Sequence, residues 1–244
     1  MLFLLRTIRR KLLTKNKLTT YLLYAAGEII LVVVGILIAV QINNLNKAQS
    51  DREKELSYLS SYQNDLNENI VELDRVIKKS NHLREIADTL IFRFVRQQPV
   101  DQPTLDSMVI QLVGYTLYLS KEGTIENLLG AGSLEIIQNL DVRSSFVTHE
   151  ADQKRIRELE KGVFESFSEL LAYLKVHTKM YNFALGRLMI DERTQSMLMS
   201  DKYFLNVLDD ISFKYNELQQ RYFFRQKELK DLLTIVAAEI QNLR

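Results

Sequence analysis

The feature that most constrains the fold is an apolar run near the N-terminus. Residues 21–42 read YLLYAAGEIILVVVGILIAVQI, and no residue from Ile29 to Val40 is polar. A helix over this segment rises about 1.5 Å per residue to about 33 Å, enough to cross a hydrocarbon core of about 30 Å. A core helix of a soluble protein usually keeps a polar face, whereas this run is apolar on every face. The sequence therefore predicts a transmembrane helix at residues 21–42.

Charge on either side of the run predicts its orientation. Six basic residues precede the run with no acidic residue among them: Arg6, Arg9, Arg10, Lys11, Lys15 and Lys17. Since basic segments stay on the cytoplasmic side, we expect a cytoplasmic tail at residues 1–20 and a periplasmic domain at residues 43–244 of a bacterial inner-membrane protein. The run is long and lacks a following A-x-A cleavage motif, which favours an uncleaved single-pass anchor over a signal peptide.

The basic tail also has an amphipathic pattern. Leu4, Leu5, Ile8 and Leu12 share one helical arc, and the arginines fall outside it. This pattern predicts either a helix that lies on anionic membrane lipid or a charge signal that only fixes the orientation.

Small and charged residues inside the run are candidates for membrane-helix packing: Gly27, Glu28, Gly35 and Ala39. Gly35 and Ala39 lie about one turn apart and permit the close approach of a second helix, which predicts a homodimer. Glu28 is expected to reach the cytoplasmic headgroups or to pack, and the alternative is a response to protons or ions.

The rest of the sequence predicts a mainly α-helical fold, in which the membrane helix continues into an extracytoplasmic helical bundle or coiled-coil-like domain. Eight glycines and two prolines suit long helices. Apolar residues recur at alternating spacings of three and four in two stripes. The first stripe holds Leu56, Leu59, Leu66, Ile70, Leu73 and Ile77, and the second holds Leu208, Ile211, Tyr215, Leu218, Tyr222, Leu229, Leu232 and Val236. We expect the two helices to cover each other's stripes, with Arg225 interrupting the second.

Turn signals divide the segment between the two stripes. Pro99 and Pro103 predict a turn, and the GAGS tract at residues 130–133 predicts a tight helix-to-helix turn rather than a phosphate loop. A long helix is expected from Phe146 onward and through Leu188. Residues 190–202 are then expected to be turn-like, with Asp201 as the cap of the last helix.

The sequence offers no pattern for a catalytic, metal or cofactor site. The chain has no cysteine, which excludes disulfides and thiolate chemistry. Its three histidines lack metal-ligand spacing, and the HEAD tract at residues 149–152 is interpreted as a solvated helix face. Lys and Arg number 32 against 31 for Asp and Glu, so no bulk charge attracts nucleic acid. We therefore expect a non-enzymatic protein with no cofactor and no nucleic-acid partner.

Two segments resemble a known family. The segment KLLTKNKLTTYLLYAAGEIILVVVGILIAVQINNLN is similar to the opening of a bacterial family of membrane proteins of unknown function, with its basic start, YLLYAIGEI-like helix and QINNWN motif. Leu45 replaces the usual tryptophan of that motif. The segment LLGAGSLEIIQN resembles the family's SSGKLDLIKN-like stretch, with Ala131 in place of serine. The resemblance implies an envelope protein without a known activity, and it supplies no catalytic residues.

Three functional hypotheses follow. The leading one is a membrane-anchored scaffold that dimerises and binds an unidentified envelope protein. It rests on the two apolar stripes, which need partner surfaces, and on the lack of any catalytic motif in the sequence. The second is a signalling or transport accessory subunit that uses Glu28. The third is a periplasmic hydrolase with an unfamiliar site, which would require a cleft holding carboxylates of shifted pKa.

Overall fold

The structure is a computed structural model that describes residues 18–244, with side chains from Tyr21 onward. Six α-helices occur in this range: α1 (Leu18–Val95), α2 (Gln102–Leu112), α3 (Gly123–Gly130), α4 (Leu140–His177), α5 (Glu192–Ser200) and α6 (Lys202–Leu243). Short 3-10 helices lie at Leu134–Ile136 and Met180–Leu185, and no strand occurs between residues 18 and 244. The predicted mainly α-helical fold is confirmed. The predicted interfacial helix of the basic tail precedes Leu18 and lies outside the described residues.

The chain divides after Glu55 into two units. In the first unit, no side chain of the apolar part of α1 is buried, and Leu23 and Leu31 are 79% and 75% exposed. Of the helices in the described range, α1 alone is long and apolar enough to cross a membrane, and none of its apolar window is buried in protein. A core helix would bury such side chains, so this exposure is what a lipid-facing segment requires. Gly27, Glu28, Gly35 and Ala39 are all exposed on this helix.

The second unit, Leu56–Arg244, is a helical bundle built from the second part of α1, α4 and α6. Arg84 of α1 donates to Asn216 of α6 at 2.7 Å, and nearer the C-terminal end of α1, Phe94 lies 6.2 Å from Phe204. Later residues of α1 therefore contact earlier residues of α6, so these two helices run antiparallel. The ring of Phe204 also lies 5.5 Å from that of Tyr173, which brings the end of α4 to the same place.

The two predicted stripes lie in the core of this bundle. Most of their members are buried: Leu59, Leu66, Leu73 and Ile77 in α1, and Leu208, Ile211, Tyr215, Leu218, Tyr222, Leu229 and Val236 in α6. Leu56, Ile70 and Leu232 are half-buried against the same core. The pairing of helices differs from the expectation, because the backbone of α6 packs most closely against α4. Helices α1 and α6 are joined by side-chain hydrogen bonds from Arg84 to Asn216, from Ser212 to Asp88 and from Gln226 to Asp74.

Local capping explains where the connections agree with the sequence and where they differ. The predicted turn at Pro99 and Pro103 is confirmed, and Asp101 accepts from the Thr104 amide to start α2. Asp201 accepts from the amides of Tyr203 and Phe204, as expected for a cap of α6. The GAGS turn is also confirmed, and its Gly132 takes a positive φ of 61° that favours glycine.

Two predictions about the segment before α6 are wrong. The long helix α4 ends at His177, because Thr178 adopts an extended conformation, and it does not continue through Leu188. Residues 190–202 are mostly helical rather than turn-like. Asp191 accepts from the Thr194 amide and so starts α5, a cap that the polar composition of the segment concealed.

Candidate functional site

The most unusual feature of the bundle is an extended, non-helical segment between α2 and α3. Residues 113–122, called the strap below, lie between α1 and α4 and run antiparallel to both. Buried backbone polar groups need partners, and the strap has no neighbouring strand in the described range to supply them. Side chains of the helices therefore have to take that role.

On the α1 side, one carboxamide binds both polar groups of a strap residue. Asn69 donates from Nδ2 to the carbonyl of Lys121 at 2.9 Å and accepts the Lys121 amide on Oδ1 at 2.7 Å. Arg75 donates to the carbonyl of Leu117 at 3.3 Å, and just beyond the strap Asp65 accepts the amide of Thr124 at 3.1 Å. The side chain of Asn69 thus imitates the paired hydrogen bonds of a neighbouring strand.

On the α4 side, the strap is held by a buried carboxylate. Glu160 is 6% exposed, and its Oε1 accepts the amide of Tyr118 at 2.7 Å and the hydroxyl of Tyr222 at 2.6 Å. Burial raises the pKa of Glu160, and the two hydrogen bonds oppose that rise. Burial and the neighbouring Glu160 raise the pKa of Tyr222, so this hydroxyl stays a donor. One carboxylate thereby joins the strap, α4 and α6.

A histidine and an arginine continue this polar cluster toward Glu122 at the end of the strap. His149 accepts on Nδ1 from Arg225 at 3.2 Å, so Nε2 carries the hydrogen and lies 3.5 Å from Oε1 of Glu122. Burial, and then the positive charge of Arg225, lower the pKa of His149 and favour the neutral ring. Arg225 also donates to Asp152 at 3.0 Å, and Arg221 binds the same carboxylate at 2.7 Å.

This cluster corrects the interpretation of the HEAD tract as a solvated helix face. His149 is buried, and Asp152 lies at 24% side-chain exposure between two arginines. Arg225, expected to interrupt the α6 stripe, is buried as well. Its charge is compensated by Asp152 and, at 3.3 Å, by Glu228.

Two shallow grooves flank the strap. The larger, about 580 Å³, lies against α1 and is lined by Asn67, Glu68, Val71, Glu72, Leu119 and Lys121. The smaller, about 240 Å³, lies against α4 and is lined by Tyr115, Leu117, Arg157, Glu160, Lys161 and Phe164. The two apolar side chains of the larger groove, Val71 and Leu119, are 70% and 69% exposed. The surface formed by the larger groove is called the strap face below.

The smaller groove is lined by one carboxylate, Glu160. Glu160 has the raised pKa that a general acid would need, and it lines the smaller groove. The oxygen shown to accept hydrogen bonds already binds Tyr118 and Tyr222, however, and no second carboxylate lines that groove. No group of three or more histidine, aspartate or glutamate side chains in the described range is arranged to hold a metal ion.

The sequence contained a signal for these buried polar residues. His149, Gln153 and Glu160 occupy the same three-and-four stripe of α4 as Phe146, Ile156 and Val163, and all six are buried. Asn69 likewise falls between Leu66 and Leu73 on the α1 stripe. A polar residue at a core position of a stripe predicts a buried hydrogen-bond partner. The spacing of residues does not show, however, that Asn69 and Glu160 bind the backbone of an extended segment.

Comparison with known proteins gives one match. Residues 28–94 match the model of a family of unknown function (DUF6090), and the match covers the apolar run from Glu28 onward and most of the part of α1 that lies in the bundle. This finding fits the predicted resemblance to an uncharacterised family. No curated protein and no solved structure matches the chain.

Proposed function

We propose that the chain is a non-enzymatic interaction module of the bacterial cell envelope. It is anchored in the inner membrane by the apolar run of α1, and its helical unit lies in the periplasm and binds another envelope protein through the strap face. The observation that carries this proposal is the pair Val71 and Leu119, two exposed apolar side chains in one groove of about 580 Å³.

The strap face has the anatomy of a small recognition surface. Its apolar centre, Val71 and Leu119, is surrounded by the amide of Asn67 and by the charged groups of Glu68 and Lys121. An apolar centre with a polar rim is the usual arrangement of protein interfaces. Single apolar residues are ordinary on protein surfaces, and two that share one groove are the feature on which this proposal rests.

The hydrogen bonds beneath the strap prepare this surface for binding. Asn69 fixes Lys121 and Glu160 fixes Tyr118, so Leu119 is held between two tethered residues. A pre-ordered side chain loses less conformational entropy when a partner binds. The occupant best suited to the groove is a short segment that carries one or two apolar side chains and polar flanks.

The anchor supports the proposed location. The exposed run of α1 provides the span, and six basic residues before it favour a cytoplasmic N-terminus. Membrane lipid is then one partner of the chain. A second copy is another, because Gly35 has open space around the position of a Cβ and could admit a neighbouring helix.

Photo-crosslinking in intact cells tests the strap face. A photoreactive amino acid replaces Leu119 in the full chain, and a control replaces Lys227, an exposed residue of α6. Leu119 is expected to capture a discrete partner that Lys227 does not. The same partner should co-purify with the Phe213→Asp protein and be lost at least about tenfold with Leu119→Asp, because a charge in the groove must be desolvated on binding. Equal capture at both sites, or full retention by Leu119→Asp, contradicts the proposal.

A further inference from the structure

A second group of exposed apolar side chains begins at the C-terminal end of α4, beyond the helix residues that contact the strap. Five side chains here are between 40% and 77% exposed: Val176, Tyr181, Phe183, Leu185 and Leu188. They follow one another on the last turn of α4 and on the loop that carries the 3-10 helix Met180–Leu185. This group is called the apolar tip below.

The loop of the apolar tip is closed and internally bonded. The amide of Lys179 donates to the carbonyl of Met189 at 3.1 Å and closes its base. Inside the loop, the amide of Arg187 donates to the Asn182 carbonyl at 2.9 Å, and the Asn182 side chain donates to the Leu188 carbonyl at 2.9 Å. Gly186 has a positive φ of 64° and turns the chain. The apolar side chains are therefore displayed by an ordered backbone.

The base of the loop is fastened to the bundle. The amides of Met189 and Ile190 both donate to the carboxylate of Asp106 in α2, at 2.6 and 3.0 Å. Met189 and Ile190 are buried in the core, whereas the loop residues just before them are exposed. The sequence thus buries two apolar residues at the base and leaves five others of the same segment in solvent.

Charge on the segment has one sign. No acidic residue occurs from Leu170 to Ile190, and Lys175, Lys179 and Arg187 lie within it. Lys179 pairs with Asp191 at 3.1 Å. Lys175 and Arg187 are exposed and have no ion-pair partner in the described range. The apolar tip is therefore accompanied by two positive charges outside any described ion pair, while the carboxylates at its base, Asp106 and Asp191, bind backbone amides and Lys179.

We propose that the apolar tip docks on the surface of a bilayer that contains anionic phospholipid. Aromatic and aliphatic side chains flanked by Lys and Arg are the composition that binds the interfacial layer of such membranes. Phospholipid headgroups supply the negative charge that complements Lys175 and Arg187. The closed hydrogen bonds of the loop lower the cost of moving its backbone into a layer poor in water.

These observations favour lipid over a protein partner. The five side chains lie on the last turn of α4 and on the loop after it, and neither of the two grooves beside the strap includes them. The segment from Leu170 to Ile190 has no carboxylate that could accept a hydrogen bond and so orient a protein partner. The proposal concerns a different surface from the strap face, so either can hold when the other does not.

Vesicle flotation tests the proposal with the full chain. The protein is held in nanodiscs of neutral phosphatidylcholine and mixed with separate vesicles of either phosphatidylglycerol and phosphatidylethanolamine or phosphatidylcholine alone. We expect co-flotation with the anionic vesicles only, and weaker co-flotation as salt is raised. Absence of co-flotation with anionic vesicles overturns the proposal.

Variants assign any binding to the apolar tip. Phe183→Ser/Leu185→Ser should lower vesicle binding by about tenfold or more, since burial of each lost CH₂ contributes to membrane affinity. Phe213→Ser/Phe224→Ser is the matched control, because these α6 side chains are as exposed as the tip and lie outside it. Equal loss in both variants, or loss in neither, overturns the proposal. So does a photoreactive group at Phe183 that crosslinks in cells to a protein and not to lipid.

Discussion

The buried carboxylate of Glu160 provides the sharpest test of how the strap is held. Replacing it with leucine removes the acceptor of two buried donors, the amide of Tyr118 and the hydroxyl of Tyr222. An unsatisfied buried donor costs about 1–3 kcal/mol, so Glu160→Leu should lower the free energy of unfolding by about 2–5 kcal/mol after some relief from removing a buried charge. Glu160→Gln keeps an acceptor oxygen and should cost less than about 1 kcal/mol at neutral pH.

The pH dependence of stability gives a second test of Glu160, made by comparing the wild-type protein with Glu160→Gln. The pKa of Glu160 is raised from its ordinary 4.5 in the folded protein, so the proton is bound more tightly there than in the unfolded chain. Stability from this group is therefore complete below about pH 4.5 and is lost as the pH rises through the folded pKa. Compared with Glu160→Gln, the wild-type protein should lose stability as the pH rises from about 4.5.

Chemical unfolding of the detergent-solubilised full chain, followed by far-ultraviolet circular dichroism, measures both effects. Glu165→Gln is the matched control, because Glu165 is an exposed carboxylate on the same helix and should change stability by less than about 0.5 kcal/mol. If Glu160→Leu unfolds like the wild type, or no worse than Glu165→Gln, the carboxylate does not hold the strap and the reasoning fails.

Three further predictions concern the cluster, the core and the anchor. Because the pKa of His149 is lowered in the folded protein, the stability from its neutral ring is complete above about pH 6.5 and is lost as the pH falls. In the same unfolding assay, the wild-type protein should therefore lose stability relative to His149→Gln between pH 7.5 and 5.5. Parallel pH curves for the two proteins would contradict this. Leu218→Asp places an unpaired charge at a fully buried position and should cost about 3–5 kcal/mol; a wild-type melting curve would show that this stripe is not core. Gly35→Ile should insert normally and lower dimer crosslinking in membranes, because within one chain nothing lies within 4 Å of the new Cβ; unchanged crosslinking would remove the membrane helix from any dimer contact.

Periodicity was enough to predict the helices and most of the core. The stripes of α1 and α6 have few breakers, and the residues on them are buried or half-buried as their spacing indicates. Pro99 and Pro103 predicted the turn before α2, and Asp201 predicted the start of α6 because it makes local hydrogen bonds to the first amides of that helix. Sequence patterns thus located the helices whose formation depends on neighbouring residues, through apolar spacing and capping.

The strap and the end of α4 could not be predicted from the sequence, because contacts between distant residues determine both. The strap owes its conformation to Asn69 and Glu160, which lie many residues away from the atoms they bind. Helix α4 stops at His177 although apolar residues continue to Leu188, and the loop is instead closed by contacts with Met189 and Asp106. Nothing in the spacing of those apolar residues tells a core stripe from an exposed tip.

The location of the helical unit outside the cytoplasm is the premise on which the proposed partners rest, and the cysteine-free sequence allows a direct test of it. Single substitutions Lys227→Cys, in the bundle, and Lys17→Cys, before the apolar run, are made in the full chain. A membrane-impermeant maleimide is then added to spheroplasts before and after lysis. We predict that Lys227→Cys is labelled in intact spheroplasts and that Lys17→Cys is labelled only after lysis. The opposite pattern would place the bundle in the cytoplasm and contradict the account.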